Sequence, residues 1–167
     1  ANATALMEDW LSRNPEDQLI MAQLGAYYLA QGRDAEAVRI YSTLTEMSPE
    51  DASSLNNLAW ANRRMDNAAA LLQVDKALAL DPGNAAIHDT KAMVLYEAGE
   101  TEQALAVISR ALELAPDEGS FLYHQAQILE KAGNVEAAVA VLEGLFDWKA
   151  FGNIDPTEIK LDLFLSE

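Results

Sequence analysis

Small and apolar residues recur along this chain at fixed distances before four prolines, Pro15, Pro49, Pro82 and Pro116, which are separated by 34, 33 and 34 residues. Three positions of each unit share this character: twelve residues before the proline (Ala3, Ala37, Ala70, Ala104), eight before it (Met7, Tyr41, Val74, Ile108) and five before it (Trp10, Leu44, Ala77, Ala111). Spacings of four and three residues place these side chains on one face of a helix. Each unit therefore predicts an amphipathic helix that ends shortly before its proline.

A second amphipathic segment precedes this helix in each complete unit, and it carries small residues where two helices would cross. Its members are Leu24, Gly25 and Tyr28, then Leu58, Ala59 and Trp60, then Ala92 and Leu95, then Ala126 and Leu129. Gly32, Gly99 and Gly133 lie between the two segments, where glycine can adopt the left-handed conformation that ends a helix. The chain thus predicts an array of helix hairpins. One unit is a residue shorter and has Met65-Asp66-Asn67 in place of the glycine, which predicts a tighter or distorted turn.

The pattern resembles the tetratricopeptide repeat, whose unit of about 34 residues consists of two antiparallel helices. The most faithful copies are Leu24, Gly25, Tyr28, Gly32, Ala37, Tyr41 and Pro49, and Ala92, Gly99, Ala104, Ala111 and Pro116. The resemblance implies an all-α domain over residues 1–167, a right-handed α-solenoid of stacked antiparallel helix hairpins.

We expect six segments in this solenoid. They are a half repeat over 1–17, four repeats over 18–51, 52–84, 85–118 and 119–150, and a C-terminal capping helix within 151–167. Ile159, Leu161, Leu163 and Phe164 give the last segment its apolar faces over 157–165. The half repeat would supply only a second helix, with Leu6, Met7, Trp10 and Leu11 lacking a partner helix. We therefore expect the chain to be the closing segment of a longer scaffold.

Composition narrows the classes of function. Eleven basic against 27 acidic residues give a formal charge of −16, which repels nucleic acids and anionic lipid surfaces. No cysteine is present, and no apolar run is long enough to span a membrane. Phosphate loops, nucleophile elbows and zinc motifs are absent from the sequence, and His88 and His124 fall on different helix faces. We expect neither enzymatic activity nor a metal or other cofactor.

The resemblance implies that a protein or peptide ligand binds on a concave face lined by the first helices. The candidate residues in this groove are Asn56, Asn57, Trp60, Arg63, Arg64, Asp89, Tyr96, Tyr123, His124 and Gln127, with Met93 beside them. Amides satisfy a peptide backbone, and aromatic rings anchor side chains. Ordinary packing is an equal alternative for Asn57 and Tyr123, and the favoured one for Trp60 and Met93.

Two subfamilies can be compared with these positions. Chaperone-binding members clamp a terminal carboxylate; Asn57 matches that clamp, but Ala22, Ala26, Ala86 and Thr90 occupy its other positions, so the clamp is rejected. The run 55–60 and the pair Asp89-Thr90 resemble the C-terminal repeats of bacterial envelope proteins linked to exopolysaccharide export and protein sorting. We expect a scaffold in an envelope or secretion assembly, with a periplasmic location favoured over the cytosol. The alternative is a structural spacer, or a solenoid that self-associates through its half repeat.

Overall fold

The computed structural model describes residues 3–145, and this part of the chain consists of helices joined by short turns. The helices are α1 (Ala3–Arg13), α2 (Gln18–Ala30), α3 (Asp34–Met47), α4 (Ala52–Asn62), α5 (Asn67–Leu80), α6 (Ala85–Ala98), α7 (Thr101–Leu114), α8 (Gly119–Lys131) and α9 (Val135–Leu145). The predicted capping helix within 151–167 lies outside the described residues. The expected all-α solenoid of helix hairpins is confirmed.

Four hairpins, α2/α3, α4/α5, α6/α7 and α8/α9, stack in chain order, and α1 packs against α2. First helices also contact one another directly, α2 with α4, α4 with α6 and α6 with α8. Successive second helices within residues 3–145 make no comparable contacts. The first helices therefore lie closer together than the second helices, so they line the concave face of the stack.

The second helices bury the residues that keep a fixed distance from each proline. Ala37, Ala70 and Ala104 are fully buried, and so are the residues four positions later, Tyr41, Val74 and Ile108, at 1% exposure or less. The alanines let two helices approach closely, and the larger side chains fill the space beside them. Burial of this face is the main stabilising term that the sequence supplies.

The glycine turns have the predicted geometry, since Gly32, Gly99 and Gly133 have φ angles of 66°, 83° and 84°. The shortened second hairpin makes its turn without any residue of positive φ. There the carbonyl group of Asn62 accepts hydrogen bonds from the N–H groups of Met65 and Asp66, at 2.9 and 2.8 Å. The Asp66 side chain then accepts from the N–H of Ala69 and caps α5. As its missing glycine predicts, this turn differs from the others.

The apolar residues of α1 divide into two groups, which corrects the expectation that all four lack a partner. Met7 and Leu11 pack against the core of the first hairpin, because they face α2. Leu6 and Trp10 lie on the adjacent face of the helix and are 61% and 46% exposed. The Trp10 indole N–H donates to an oxygen of Asp17 at 2.9 Å. Of the four apolar residues, Leu6 and Trp10 are therefore the exposed ones, and we call them the open face of α1.

Candidate partner-binding groove

On the concave face, an aromatic contact connects the second hairpin with the fourth. The rings of Trp60 on α4 and His124 on α8 have centroids 5.7 Å apart, although 64 residues separate them in the chain. Trp60 is half-buried and packs against the core of the third hairpin. The Arg63 guanidinium lies 3.9 Å from the centroid of the Trp60 ring. Trp60 is thus held from several directions and forms part of the groove floor.

His124 is also bound to the helix between these two partners. Its Nδ1 lies 2.7 Å from Oδ1 of Asp89 on α6, and the two side chains are only 16% and 9% exposed. Burial raises the pKa of Asp89, while the hydrogen bond and charge of His124 act in the opposite direction and the charge of Glu118 adds to the rise. Trp60, Asp89 and His124 therefore link three successive first helices.

Asn57 is oriented by the hydrophobic core beneath it. Its Nδ2 donates to the hydroxyl oxygen of Tyr41 at 3.1 Å, and that hydroxyl donates to the carbonyl group of Ala22 at 3.4 Å. Burial raises the pKa of Tyr41, and the hydrogen bond from Asn57 opposes this rise. The neighbouring Asn56 has a buried Oδ1 with no hydrogen-bond partner in the described part of the chain. The two amides thus differ, since one is fixed by a core tyrosine and the other keeps an unused acceptor.

Basic side chains lie at the hairpin-turn edge of the groove. Arg63 is 8% exposed, and its Nη1 donates to the carbonyl group of Trp60 at 2.6 Å. Burial lowers the pKa of Arg63, and the charge of Arg64 adds to this, against the opposing charges of Asp34 and Glu97. Arg64 pairs with Glu97 at 2.7 Å. Both arginines are therefore engaged within the fold, Arg63 by burial over Trp60 and Arg64 by its pairing with Glu97.

A further cation at this edge was not among the predicted residues. The Lys131 ammonium lies 4.1 Å from the ring centroid of Tyr96 and donates to the Tyr96 carbonyl group at 2.6 Å. Its separation of 35 residues is the same as that of Asp89 and His124. An offset of one repeat plus one residue is therefore a sequence signal for contacts between successive first helices.

The predicted site residues differ in how much of each side chain is exposed to solvent. Met93 is 4% exposed and belongs to the core, as expected if it serves packing and does not contact a ligand. Asp89 and Arg63 are buried as well, so each acts on a ligand mainly through its neighbours. The half-buried residues are Asn56, Asn57, Trp60, Tyr96, Tyr123, His124 and Gln127, and Arg64 is exposed. Tyr123 lies next to His124, with ring centroids 6.1 Å apart.

The described residues provide no group of three His, Cys, Asp or Glu side chains that could hold a metal ion. The second histidine, His88, has its Nε2 3.0 Å from the carbonyl oxygen of Pro82. Over residues 3–145, none of the helices combines the length and apolar character needed to cross a membrane.

Solved structures resemble the whole stack. A thermophilic TPR protein from Thermus thermophilus superposes with a TM-score of 0.76 at 23% identity, over 93% of this chain and 85% of that one. A tetratricopeptide repeat protein from Parabacteroides merdae ATCC 43184 gives a TM-score of 0.78 at 18% identity, over 87% of this chain and 57% of that one. At these identities the likeness establishes the fold.

A curated relative and a family model add sequence evidence. Cellulose synthase operon protein C of Pseudomonas fluorescens (strain SBW25) is 33% identical over 95 residues, which are 56% of this chain and 7% of that protein. Residues 22–85 and 90–146 match the family model described as Tetratricopeptide repeat. The chain therefore belongs to the tetratricopeptide repeat family and is a scaffold for protein–protein interaction.

Proposed function

We propose that this chain is a non-catalytic scaffold that holds a peptide or helix of a partner protein in its concave groove, within a bacterial envelope assembly for exopolysaccharide export. One observation carries the proposal: Trp60, Asp89 and His124 join three successive first helices into one floor. A groove with a continuous floor binds a segment that crosses several repeats.

The groups around this floor suit a polypeptide ligand. The half-buried Gln127 carries an amide that can hydrogen-bond a ligand backbone, and Tyr96 and Tyr123 offer aromatic surface. Because Asn57 and His124 are already held by Tyr41 and Asp89, little side-chain conformational freedom is lost when a ligand binds. This preorganisation supports the groove as the binding surface.

The envelope assignment rests on similarity. The run 55–60 resembles repeats of envelope proteins linked to exopolysaccharide export, and the curated relative is named for a cellulose synthase operon. Cellulose is an exopolysaccharide when a bacterium exports it, so both similarities point to one kind of assembly. The chain spans 7% of that relative, so its segment would be one binding module of such a protein.

Photo-crosslinking in cells tests the groove. The photoreactive residue benzoylphenylalanine replaces Tyr123 in the groove or, as a matched control, the exposed Leu72 on the second helix α5. We expect a discrete protein adduct from the Tyr123 position and none from Leu72. The adduct's crosslinked peptide then serves as the ligand for calorimetry with wild type and with the variant that combines Asn57→Ala and Tyr123→Ala. Adducts only from Leu72, or an affinity unchanged by Asn57→Ala together with Tyr123→Ala, would remove the groove from the proposal.

The open face of α1 supports a second candidate function, self-association of the scaffold. In the complete hairpins the positions equivalent to Ala3 and Trp10 are buried, as Ala37 and Leu44 show, yet in α1 Ala3 is exposed and Trp10 is 46% exposed. Light scattering over a concentration series should show a rising mean mass for wild type and for Leu72→Asp, and a monomer for Leu6→Asp. A wild-type chain that stays monomeric at the highest concentration would eliminate this candidate.

A further inference from the structure

We propose that the concave face of α2 binds one aromatic side chain of the partner segment. The inference rests on the proposed function, because it assigns a contact within the same groove, and it adds the chemistry of the ligand. We call this surface the apolar subsite; it consists of Leu19 and Ala26 on α2 and Trp60 on α4. Leu19 and Ala26 were not among the predicted groove residues.

The helix α2 is apolar on its exposed side as well as on its buried side. Its residues, Gln18–Ala30, include no charged side chain, although the whole chain has a formal charge of −16. Leu19 is 69% exposed, and Ala26 and Ala30 are exposed as well. A helix with apolar residues around its whole circumference is normally buried, because apolar surface in contact with water is unfavourable. The exposed side of α2 therefore has the composition of a surface that a ligand covers.

This exposed side of α2 belongs to the groove. Leu19 and Ala26 are seven residues apart, which is two helical turns, so they lie on the same side of α2. Ala22, one turn before Ala26, accepts a hydrogen bond from the hydroxyl group of Tyr41 through its carbonyl group. The same hydroxyl group accepts from Asn57 of α4. The subsite therefore lies beside the concave residues of α4, within reach of a segment that binds there.

The next hairpin shows what a large side chain does at this position. Ala26 and Trp60 each stand eleven residues after the proline that precedes their hairpin, so they are equivalent. Trp60 packs against the core that contains Met93, and Met93 and Thr90 are both buried. Their equivalents one repeat earlier, Trp60 and Asn57, are only half-buried. An aromatic side chain placed over Ala26 would cover Asn57 and Trp60 in the way that Trp60 covers the third hairpin.

The charges around the subsite favour an uncharged occupant. The basic residues at the adjoining hairpin-turn edge are already paired with acids at 2.7 Å, Arg33 with Glu36 and Arg64 with Glu97. A charged side chain placed over Ala26 would lose its hydration without gaining a partner of opposite charge on α2. An aromatic ring instead gains apolar contact with Leu19 and a ring contact with Trp60. The subsite and its occupant therefore match in charge and in apolar character.

Methyl NMR of the complete chain with a small aromatic probe tests the subsite. N-acetyltryptophanamide is titrated into protein that carries labelled leucine and alanine methyl groups. We expect the Leu19 and Ala26 methyl signals to shift and to saturate, with a dissociation constant on the order of 1 mM. N-acetyllysinamide at the same concentration should give shifts about tenfold smaller, because its charge must stay hydrated.

Three variants assign the binding to the subsite. Ala26→Trp should abolish the Leu19 shift, because the chain's own indole then occupies the subsite. Leu19→Ser introduces the residue found at the equivalent positions Ser53 and Ser120, and it should weaken probe binding about fivefold through the loss of apolar contact. Ala106→Trp, the matched control at an exposed alanine of the second helix α7, should leave probe binding unchanged.

Leu19 and Ala26 signals that do not move at about 10 mM probe would overturn the subsite, as would equal shifts in wild type and Ala26→Trp. Helical circular dichroism shows whether each variant folds, and if Ala26→Trp does not, an undiminished affinity in Leu19→Ser overturns the subsite instead. The result is also separate from the proposed function. A Tyr123 crosslink without probe binding would refute the subsite alone, and probe binding without a crosslink would refute the groove around Tyr123 alone.

Discussion

Replacement of Gly25 by alanine should destabilise the first hairpin although alanine is the better helix former. A Cβ atom at this position would lie 2.8 Å from both Cε2 and Cζ of Tyr41 and 3.2 Å from Cγ2 of Ile40. Tyr41 is 1% exposed, and its hydroxyl group is bonded to Asn57 and Ala22. The ring therefore has no free space into which to turn, and α2 and α3 must move apart.

The expected magnitude follows from three opposing terms. Alanine in place of glycine favours a helix by about 1 kcal/mol. Overpacking of a filled core costs about 1–3 kcal/mol, and loss of the Asn57 hydrogen bond to the displaced tyrosine costs about 1 kcal/mol more. The balance is a decrease of about 1–3 kcal/mol in the free energy of unfolding. The perturbation also reaches the groove, because Tyr41 orients Asn57.

Urea unfolding followed by far-ultraviolet circular dichroism measures this free energy. Gly144→Ala is the control, since a Cβ there meets no atom of residues 3–145 within 4 Å, and it should raise stability by up to about 1 kcal/mol. The second hairpin pairs Ala59 with Val74 at the equivalent positions, both fully buried, so Tyr41→Val should cost less in the Gly25→Ala protein than in wild type. The reasoning fails if Gly25→Ala is as stable as wild type, or if the two substitutions are additive.

Three further changes have expected outcomes. Burial raises the pKa of Asp89, so the stabilisation from its proton is complete at low pH and lost as pH rises through that pKa. Asparagine cannot bind this proton, so the stability of Asp89→Asn should lie further below that of wild type in acid than near neutrality. Urea midpoints of the two proteins that move in parallel with pH would contradict this. Gly99→Ala forces a non-glycine residue to a φ of 83° and should cost about 1–2 kcal/mol, with an unchanged urea midpoint as the contrary result. Asn67 donates to the carbonyl groups of Arg63 and Val94 at 3.1 and 2.8 Å, so Asn67→Ala should lower the melting temperature by an amount equivalent to about 1–3 kcal/mol, and an unaltered melting curve would show that these bonds contribute nothing net.

The hairpin array could be predicted from the sequence because its signals are local. The distance from each proline to its alanine and to Tyr41 or Val74 fixes a buried helix face within a single unit. Gly32 and Gly99 mark turns because few other residues adopt their φ angles without strain. The same local reasoning identified the shortened turn, where glycine is missing.

The groove was predicted less completely because it depends on the relation between units. The pair Trp60 and His124 meets only because the stack curves around α6, and no spacing in the sequence gives that curvature. Asp89 and His124 were both candidate residues, but the hydrogen bond between them was not predicted. In the sequence analysis, His124 was considered only together with His88, as a possible pair of metal ligands. In the sequence analysis, four apolar residues of α1 were treated alike, as lacking a partner helix. In the structure Met7 and Leu11 pack against α2, and Leu6 and Trp10 remain exposed.

The contact between Trp60 and His124 also bears on how the chain loses its structure. In a linear array whose units touch only their neighbours, unfolding can begin at either end and proceed one unit at a time. Here the second and fourth hairpins share a contact that neither keeps if the other melts. Hairpins two to four are thereby coupled as one cooperative block, and the first hairpin, which has no such second-neighbour contact among the aromatic pairs of residues 3–145, is the unit that can open by itself.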